Sequence, residues 1–287
     1  MAKVIYGKVI AEGIKNSVKK DMQRSKTSRI PGLATVLVGD DSASKIYIKK
    51  KNEASKEVGF HFQKILLPQE ATQRELLGAI EELNKNEKIN GILIQLPLPP
   101  HIDEKKIICS VDPSKDVDGF HPLNMGNTLM GNEHLVPCTP LAVLKIIEHE
   151  KIDLKGKNVV IVSHSYHIGK PLGALVLNRN GSVIIVHEYT PNIQALTKEA
   201  DILISATGVP RLIKKEFVRR NSIIIDVGIV KQRDGSICGD VDFNQVKNKA
   251  KAITPVPGGV GPVTVACLML NTYKIFKKEV FGQDFVI

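Results

Sequence analysis

Short apolar runs alternate with longer amphipathic stretches along most of this chain, and that alternation leaves few folds open. LATVLV (33–38), FHFQKILL (60–67) and GILIQL (91–96) read as strands, with helical patterns between them. NVVIVS (158–163), SVIIV (182–186), ILISA (202–206) and SIIID (222–226) repeat the pattern in the second half. Strands separated by helix-length segments pair in parallel, because a parallel neighbour is reached only through a crossover. The helical stretches are 7–26, with Ile10, Ile14, Val18 and Met22 on one face, then the segment after Val38, 71–84 and 141–149. In the second half they run from Pro171 to about 179, around 191–200, and over 263–277.

Val38–Phe60 carries the first chemical signal. Tyr47 and Lys51 are four residues apart, so a helix stacks them one turn apart on one face. Ser42 or Ser44 can cap that helix, and Gly59 can stop it. Following a strand, the pair stands where open α/β sheets bind ligands. A lysine serves as a base near neutrality only when its pKa is lowered, by burial or by cationic neighbours such as Lys49 and Lys50. A tyrosine hydroxyl one turn away can hold or pass a proton. A solvated basic helix face with a half-buried tyrosine would show the same spacing.

Further polar residues fall at strand ends. Gln95 closes GILIQL, where its amide can donate to one group and accept from another, fixing a lysine amine in place. Asp116 and Asp118 in KDVDGF point the same way if the segment is extended. No histidine or carboxylate stands at a spacing that completes a metal site, so hydrogen bonding is expected of them and no metal. An Asx-rich turn is the structural alternative.

The strand 158–163 enters Ser163-His164-Ser165-Tyr166-His167-Ile168-Gly169-Lys170-Pro171, with Pro171 in the first turn of a helix. G-x-G-x-x-G is absent; only Gly169 and Gly173 stand in the turn and early helix. A phosphate can still bind Ser165 and the amides of a helix start. Near the end, TPVPGGVGPVT (254–264) is a rigid, backbone-exposed loop that lets main-chain groups approach a flat ligand.

Composition narrows the function classes. The chain has 287 residues and a net charge of +10, without tryptophan. The lysines are scattered through helical patterns, and no helix-turn-helix, zinc-finger or RNP signature appears, so nucleic acid is not an expected partner. Phosphorylated or polycarboxylate ligands fit the charge better. No apolar stretch of membrane-spanning length and no signal peptide is seen. Four widely spaced cysteines suggest neither zinc site nor disulfide framework, which fits a reduced, cytoplasmic setting.

VGDDSASKIYIKKK (38–51), GILIQLPLP (91–99), DPSKDVDGFHP (112–122), PCTP (137–140) and PVPGGVGPVTVA (255–266), in this order, resemble the methylenetetrahydrofolate dehydrogenase/methenyltetrahydrofolate cyclohydrolase family over nearly the whole chain. The resemblance implies that Lys51 is the catalytic lysine, Tyr47 its partner against the pterin, Gln95 the residue that positions the lysine, and Asp118 the acid on the pterin's amino edge. Leu96, Pro97, Pro257, Gly258, Gly259, Val260 and Gly261 would line the folate site. It also implies oxidation of 5,10-methylenetetrahydrofolate with NADP or NAD, hydrolysis to 10-formyltetrahydrofolate, and a homodimer joined through the nucleotide domain.

The nucleotide turn departs from the family's G-R-S-x-x-V-G-x-P: Ser163 and His164 replace the glycine and arginine. Glu188 stands where relatives commonly carry a serine or arginine near a 2′-phosphate, nineteen residues past Gly169. An acid there favours a ribose hydroxyl over a phosphate, so weak NADP discrimination or NAD preference is expected, with Ser165, Ile229 and the helix start supplying contacts. Loss of dinucleotide binding, leaving a cyclohydrolase alone, is one alternative; a non-catalytic folate- or nucleic-acid-binding protein is another. A short-chain dehydrogenase also uses Y-x-x-x-K, but with the cofactor turn before the pair rather than after it. The expected architecture is α/β, two domains around a cleft. The catalytic, folate-binding domain is 1–120 plus the C-terminal helix 266–287. Residues 140–265 form a Rossmann-like dinucleotide-binding domain with a mostly parallel sheet, the boundary falling in 120–145.

Overall fold

The structure, a computed structural model, describes residues 2–25, 27–232 and 234–286, residues 42 and 43 by their backbone only. In chain order come β1 (Lys3–Val4), α1 (Gly7–Arg24), β2 (Gly32–Val38), α2 (Ser42–Val58), β3 (His61–Leu67), α3 (Gln73–Lys85), β4 (Gly91–Ile94), α4 (Glu104–Ser110), α5 (Pro122–Leu129) and α6 (Cys138–His149). Then follow β5 (Asn158–Val162), α7 (Gly169–Leu177), β6 (Ser182–Val186), α8 (Ile193–Thr197), β7 (Ile202–Ser205), β8 (Ile223–Asp226), β9 (Val230–Lys231), β10 (Ile237–Cys238), α9 (Phe243–Val246), β11 (Ala252–Ile253) and α10 (Val260–Phe281). The chain forms two compact α/β units: residues 13–127, 132–138 and 265–287, and residues 1–12, 128–131 and 139–264.

The first unit is built on three parallel strands in the order β3-β2-β4. Every residue of the central strand β2 is buried, which is why it reads as a continuous apolar run. From β2 the chain goes to β3 on one side and then to β4 on the other, and that reversal opens a crevice at the C-terminal ends of β2 and β4. α2 leaves from there. Its cap is Asp41, not Ser42 or Ser44: the Asp41 carboxylate accepts the Ser44 amide at 2.7 Å. A carboxylate adds charge complementarity to the positive helix end that a hydroxyl lacks; the Ser42 side chain lies outside the described residues. Gly59 ends the helix with φ 87°.

β4 stops at Ile94, two residues short of the apolar run, as the chain meets Pro97. On its other side it is flanked by the segment around Asp116, which forms a parallel bridge with Ile92, while the Ile92 amide donates to the Lys115 carbonyl at 2.8 Å. This close approach requires glycine at 91: a Cβ there would lie 2.2 Å from Val117 Cγ1. α4 and α5, too short to show a period, have no counterpart in the sequence reading.

The second unit is Rossmann-like, a six-stranded parallel sheet in the order β1-β11-β8-β7-β5-β6, beside the antiparallel pair β9–β10. The chain leaves β5 for β6 and then crosses to β7, so the switch point lies at the C-terminal end of β5. β1 and β11 have two residues each and escape sequence detection. Their pairing, Lys3 with Ala252 and Val4 with Ile253, places residues 1–12 in this unit rather than in a first domain beginning at residue 1. α10 starts at Val260, inside the stretch read as loop, because Gly261 and Pro262 fall in its first turn, where a missing N–H costs nothing. Among the described residues, no helix is long and apolar enough to cross a membrane.

Candidate active site

Lys51 lies on the third turn of α2, and its Nζ donates to Gln95 Oε1 at 2.9 Å. Two further bonds hold that glutamine. Its Nε2 donates to the Leu96 carbonyl at 2.8 Å, turning the amide oxygen toward the lysine, and its backbone amide donates to Val36 of β2 at 2.8 Å. Burial pushes the Lys51 amine below its ordinary pKa, with Asp118 and the Cys138 thiol pulling the other way. Lys49 and Lys50, expected to help by repulsion, are exposed and do not drive this shift, since a helix turns each neighbour about 100° away. Lys50 instead places its ammonium 5.8 Å from the centre of the Tyr47 ring. Tyr47 is half-buried, and burial pushes its phenol up, so it keeps its proton at neutral pH.

Asp116 and Asp118 share the wall of one small pocket with Ile94, Leu96, Ile108 and Phe120, but on a turn rather than an extended segment, the Gly119 amide donating to the Asp116 carbonyl at 3.3 Å. Their roles divide. Asp116 Oδ2 accepts the His121 amide at 2.8 Å and Asn124 Nδ2 at 2.9 Å, and thereby shapes the turn. Asp118 faces the lysine. Burial pushes its carboxyl up to about 6; Lys51 opposes this, Asp116 adds to it, and a hydrogen bond from Cys138 lowers it. An amine pushed down and a carboxyl pushed up have approached each other, the condition for moving a proton at little cost.

Two supporting residues escaped the sequence reading. Asn271 Nδ2 donates to the carbonyls of Val117 and Val136, both at 2.9 Å, and so holds the backbone beside Asp118. Cys138 donates to the Val117 carbonyl at 3.3 Å, its thiol pushed well up by burial. The PCTP motif contained Cys138 without suggesting a role, and nothing local marked Asn271.

The remaining candidates lie in the six-stranded unit. After β5 the chain turns through residues 163–168 into α7. Gly169 is required there, since a Cβ would stand 2.0 Å from the Ser163 carbonyl oxygen. Ser165 Oγ accepts the Ile168 amide at 3.2 Å and meets Ser163 Oγ at 3.2 Å, while α7 begins without a side-chain cap. A tight turn at the switch point leading into an uncapped helix start fits the pyrophosphate of a dinucleotide. His164 and Glu188 stand at its rim, half or more exposed, with His164 Nδ1 3.7 Å from Glu188 Oε2. Ile229 is 45% exposed, and its Cδ1 would be 3.7 Å from a Cβ on Gly261. The loop Pro257–Gly261 is tied to the start of α1 by the Gly7 amide, which donates to the Gly258 carbonyl at 2.8 Å. Thus Tyr47, Lys51, Gln95, Leu96, Pro97 and Asp118 belong to one unit. Pro257, Gly258, Gly259, Val260, Gly261, Ser163, His164, Ser165, Gly169, Glu188 and Ile229 belong to the other.

Residues 5–118 match the catalytic domain of the tetrahydrofolate dehydrogenase/cyclohydrolase family, and residues 137–280 match its NAD(P)-binding domain. The chain belongs to this family. It is 49% identical over 282 residues to the bifunctional protein FolD of Aquifex aeolicus, with 97% of each chain covered. The crystal structure of the bifunctional enzyme FolD from Campylobacter jejuni matches with a TM-score of 0.94 at 41% identity, covering 98% of this chain and 100% of that one. The Trypanosoma brucei methylenetetrahydrofolate dehydrogenase-cyclohydrolase, complexed with NADP cofactor and inhibitor, matches with a TM-score of 0.94 at 35% identity, covering 98% and 99%. The match over 137–280 takes in β5 to β11, the NAD(P)-binding arrangement that the strand order indicates.

Proposed function

We propose that this protein oxidises 5,10-methylenetetrahydrofolate to the 5,10-methenyl form with a nicotinamide dinucleotide, then hydrolyses the product to 10-formyltetrahydrofolate, as in one-carbon metabolism. The observation that carries it is the Lys51–Gln95 hydrogen bond, with a buried amine held below its usual pKa beside Asp118. In the first step a hydride leaves the one-carbon bridge with its electron pair, so the bridge becomes a cation and no protein acid or base is consumed. Ser163, His164, Ser165, Gly169 and Ile229 would hold the dinucleotide, which would supply the hydride acceptor. In the second step water adds to the cationic carbon. Lys51 takes a proton from that water and returns it to the ring nitrogen as its bond to carbon breaks; the second proton goes to solvent. Gln95 holds the amine in line for both transfers. Asp118 anchors the amino edge of the pterin, and Tyr47 lies against its ring.

Glu188, 63% exposed at the turn's rim, supports NAD over NADP, because a carboxylate accepts the ribose hydroxyl and repels a 2′-phosphate. The same charge, with Ser163 and His164 in the turn, supports a second reading, a cyclohydrolase that has lost its dehydrogenase. Methenyl formation measured with each dinucleotide, followed by methenyl hydrolysis, separates the readings. Both activities are expected in the wild type. Lys51→Met is expected to bind folate without hydrolysing methenyltetrahydrofolate. Hydrolysis that survives this substitution refutes the role of the amine, and a large NADP preference refutes that of Glu188. The proposal extends to a cytoplasmic homodimer joined through the six-stranded unit, whose β6 is an edge strand with Ile185 36% exposed, and to a product that feeds purine biosynthesis.

A further inference from the structure

The parallel register of β5 and β6 pairs Val162 with Val186. The residues that follow each strand therefore leave the sheet side by side. They include His164 on one and His187 with Glu188 on the other. The ligand atoms of these three side chains all lie within 4.8 Å of one another. His164 Nδ1 stands 3.7 Å from Glu188 Oε2, and the two imidazole rings meet edge to face with centroids 4.8 Å apart.

We propose that His164, His187 and Glu188 form a binding site for a divalent transition-metal ion of the zinc class. Two imidazoles and a carboxylate are a full protein ligand set for such an ion when water takes the fourth position. Nitrogen donors select it over magnesium or calcium, which take oxygen ligands. Arms of about 2.1 Å at tetrahedral angles place donors roughly 3.4 Å apart. The His164–Glu188 pair, at 3.7 Å, is already close to that, and the other distances, none above 4.8 Å, must close by rotation of the side chains. Both rim side chains are free to make it, at 50% and 63% exposure. The Tyr189 amide donates to His187 Nδ1 at 3.2 Å, so this ring carries its proton on Nε2 when no metal is bound. Coordination at His187 releases that amide to water, which Tyr189, 81% exposed, readily admits. No such site was expected from the sequence, because a gap of twenty-three residues between ligands matches no local metal motif. Adjacent strands close it. The bound ion clamps the two loops together and takes up His164 and the Glu188 carboxylate, so it competes with the dinucleotide for these groups.

The test uses the full chain, stripped with EDTA and dialysed, then titrated with Zn²⁺ by calorimetry and with Co²⁺ by visible absorption. One equivalent is expected to bind, with cobalt d–d bands of a four-coordinate site and a raised melting temperature. Loss of even an outer partner of a metal ligand costs about 10–100-fold in affinity, so His187→Ala and Glu188→Gln should each weaken binding by at least about tenfold. His149→Ala, which removes an exposed histidine at the end of α6, should not. Circular dichroism of the metal-free variants checks that they fold. Absence of saturable binding, binding that survives both substitutions, or binding abolished by His149→Ala overturns the proposal and leaves the cluster as an ion pair.

Discussion

An amine with an ordinary pKa stays protonated at neutral pH and takes no proton from water. What makes Lys51 different is its place on the inner face of α2, where burial disfavours the charged form. Lys51→Met should lower methenyl hydrolysis by about 10²–10⁴-fold, the usual worth of a positioned acid–base group. Asp118 pulls the amine the opposite way. Asp118→Asn should therefore lower the Lys51 pKa further, and the acidic limb of kcat for hydrolysis should move to lower pH; a limb that stays put or moves up contradicts the pairing. Lys51, Gln95 and Asp118 were legible as candidates because each sits in a short motif that carries the family resemblance, although Lys51 and Gln95 meet across 44 positions. Asn271 was not. It grips the Val117 carbonyl from 154 positions away, and no local pattern encodes a contact of that range.

At the scale of elements, caps and close approaches determine whether the scaffold holds the site still. α3 starts with a full capping box: Thr72 accepts the Glu75 amide, and Glu75 reaches back to the Thr72 amide at 2.7 Å. Thr72→Ala should cost about 1 kcal/mol in urea unfolding. Gly91→Ala should cost more, about 1–3 kcal/mol, since the added methyl meets Val117 in a packed interior. The same substitution moves the strand segment leading to Asp118, so folate affinity should drop with it; a variant with unaltered stability and binding would mean that the segment yields freely. The long strands and helices were readable because periods of 2 and 3.6 residues need several residues to show. β1, β11, α4 and α5 were too short, and the Asp41 cap was overlooked because an acid in VGDDSAS competes with two serines.

Across the whole molecule, three carboxyls among the described residues are held above their ordinary range, Asp116 and Asp118 in one unit and Asp226 in the other, with Asp118 at about 6 and Asp226 at about 7. Burial leads for Asp226, with the Asp240 charge adding and backbone bonds from Val241, Asp240 and Gly228 opposing. A folded-state pKa above the unfolded one means that the native protein holds the extra proton. The stabilisation is full below about pH 4 and is lost as pH rises through 6 and 7. Unfolding free energy from urea titrations should thus decline between about pH 4 and 7. Asp118→Asn should flatten its share, on the order of 3 kcal/mol; an identical slope in the variant would assign the effect elsewhere. The sequence by itself determined the parallel α/β character and the altered nucleotide turn, and it marked Lys51, Gln95 and Asp118 as candidates within the motifs that carry the family resemblance. These follow from periodicity and from motifs a few residues long. Only the tertiary structure decided that Lys3 and Val4 join the six-stranded sheet, that burial rather than neighbouring lysines lowers Lys51, and that His164 meets His187 and Glu188. Each of those depends on which strands lie side by side, and strand neighbours are chosen by packing over the whole chain.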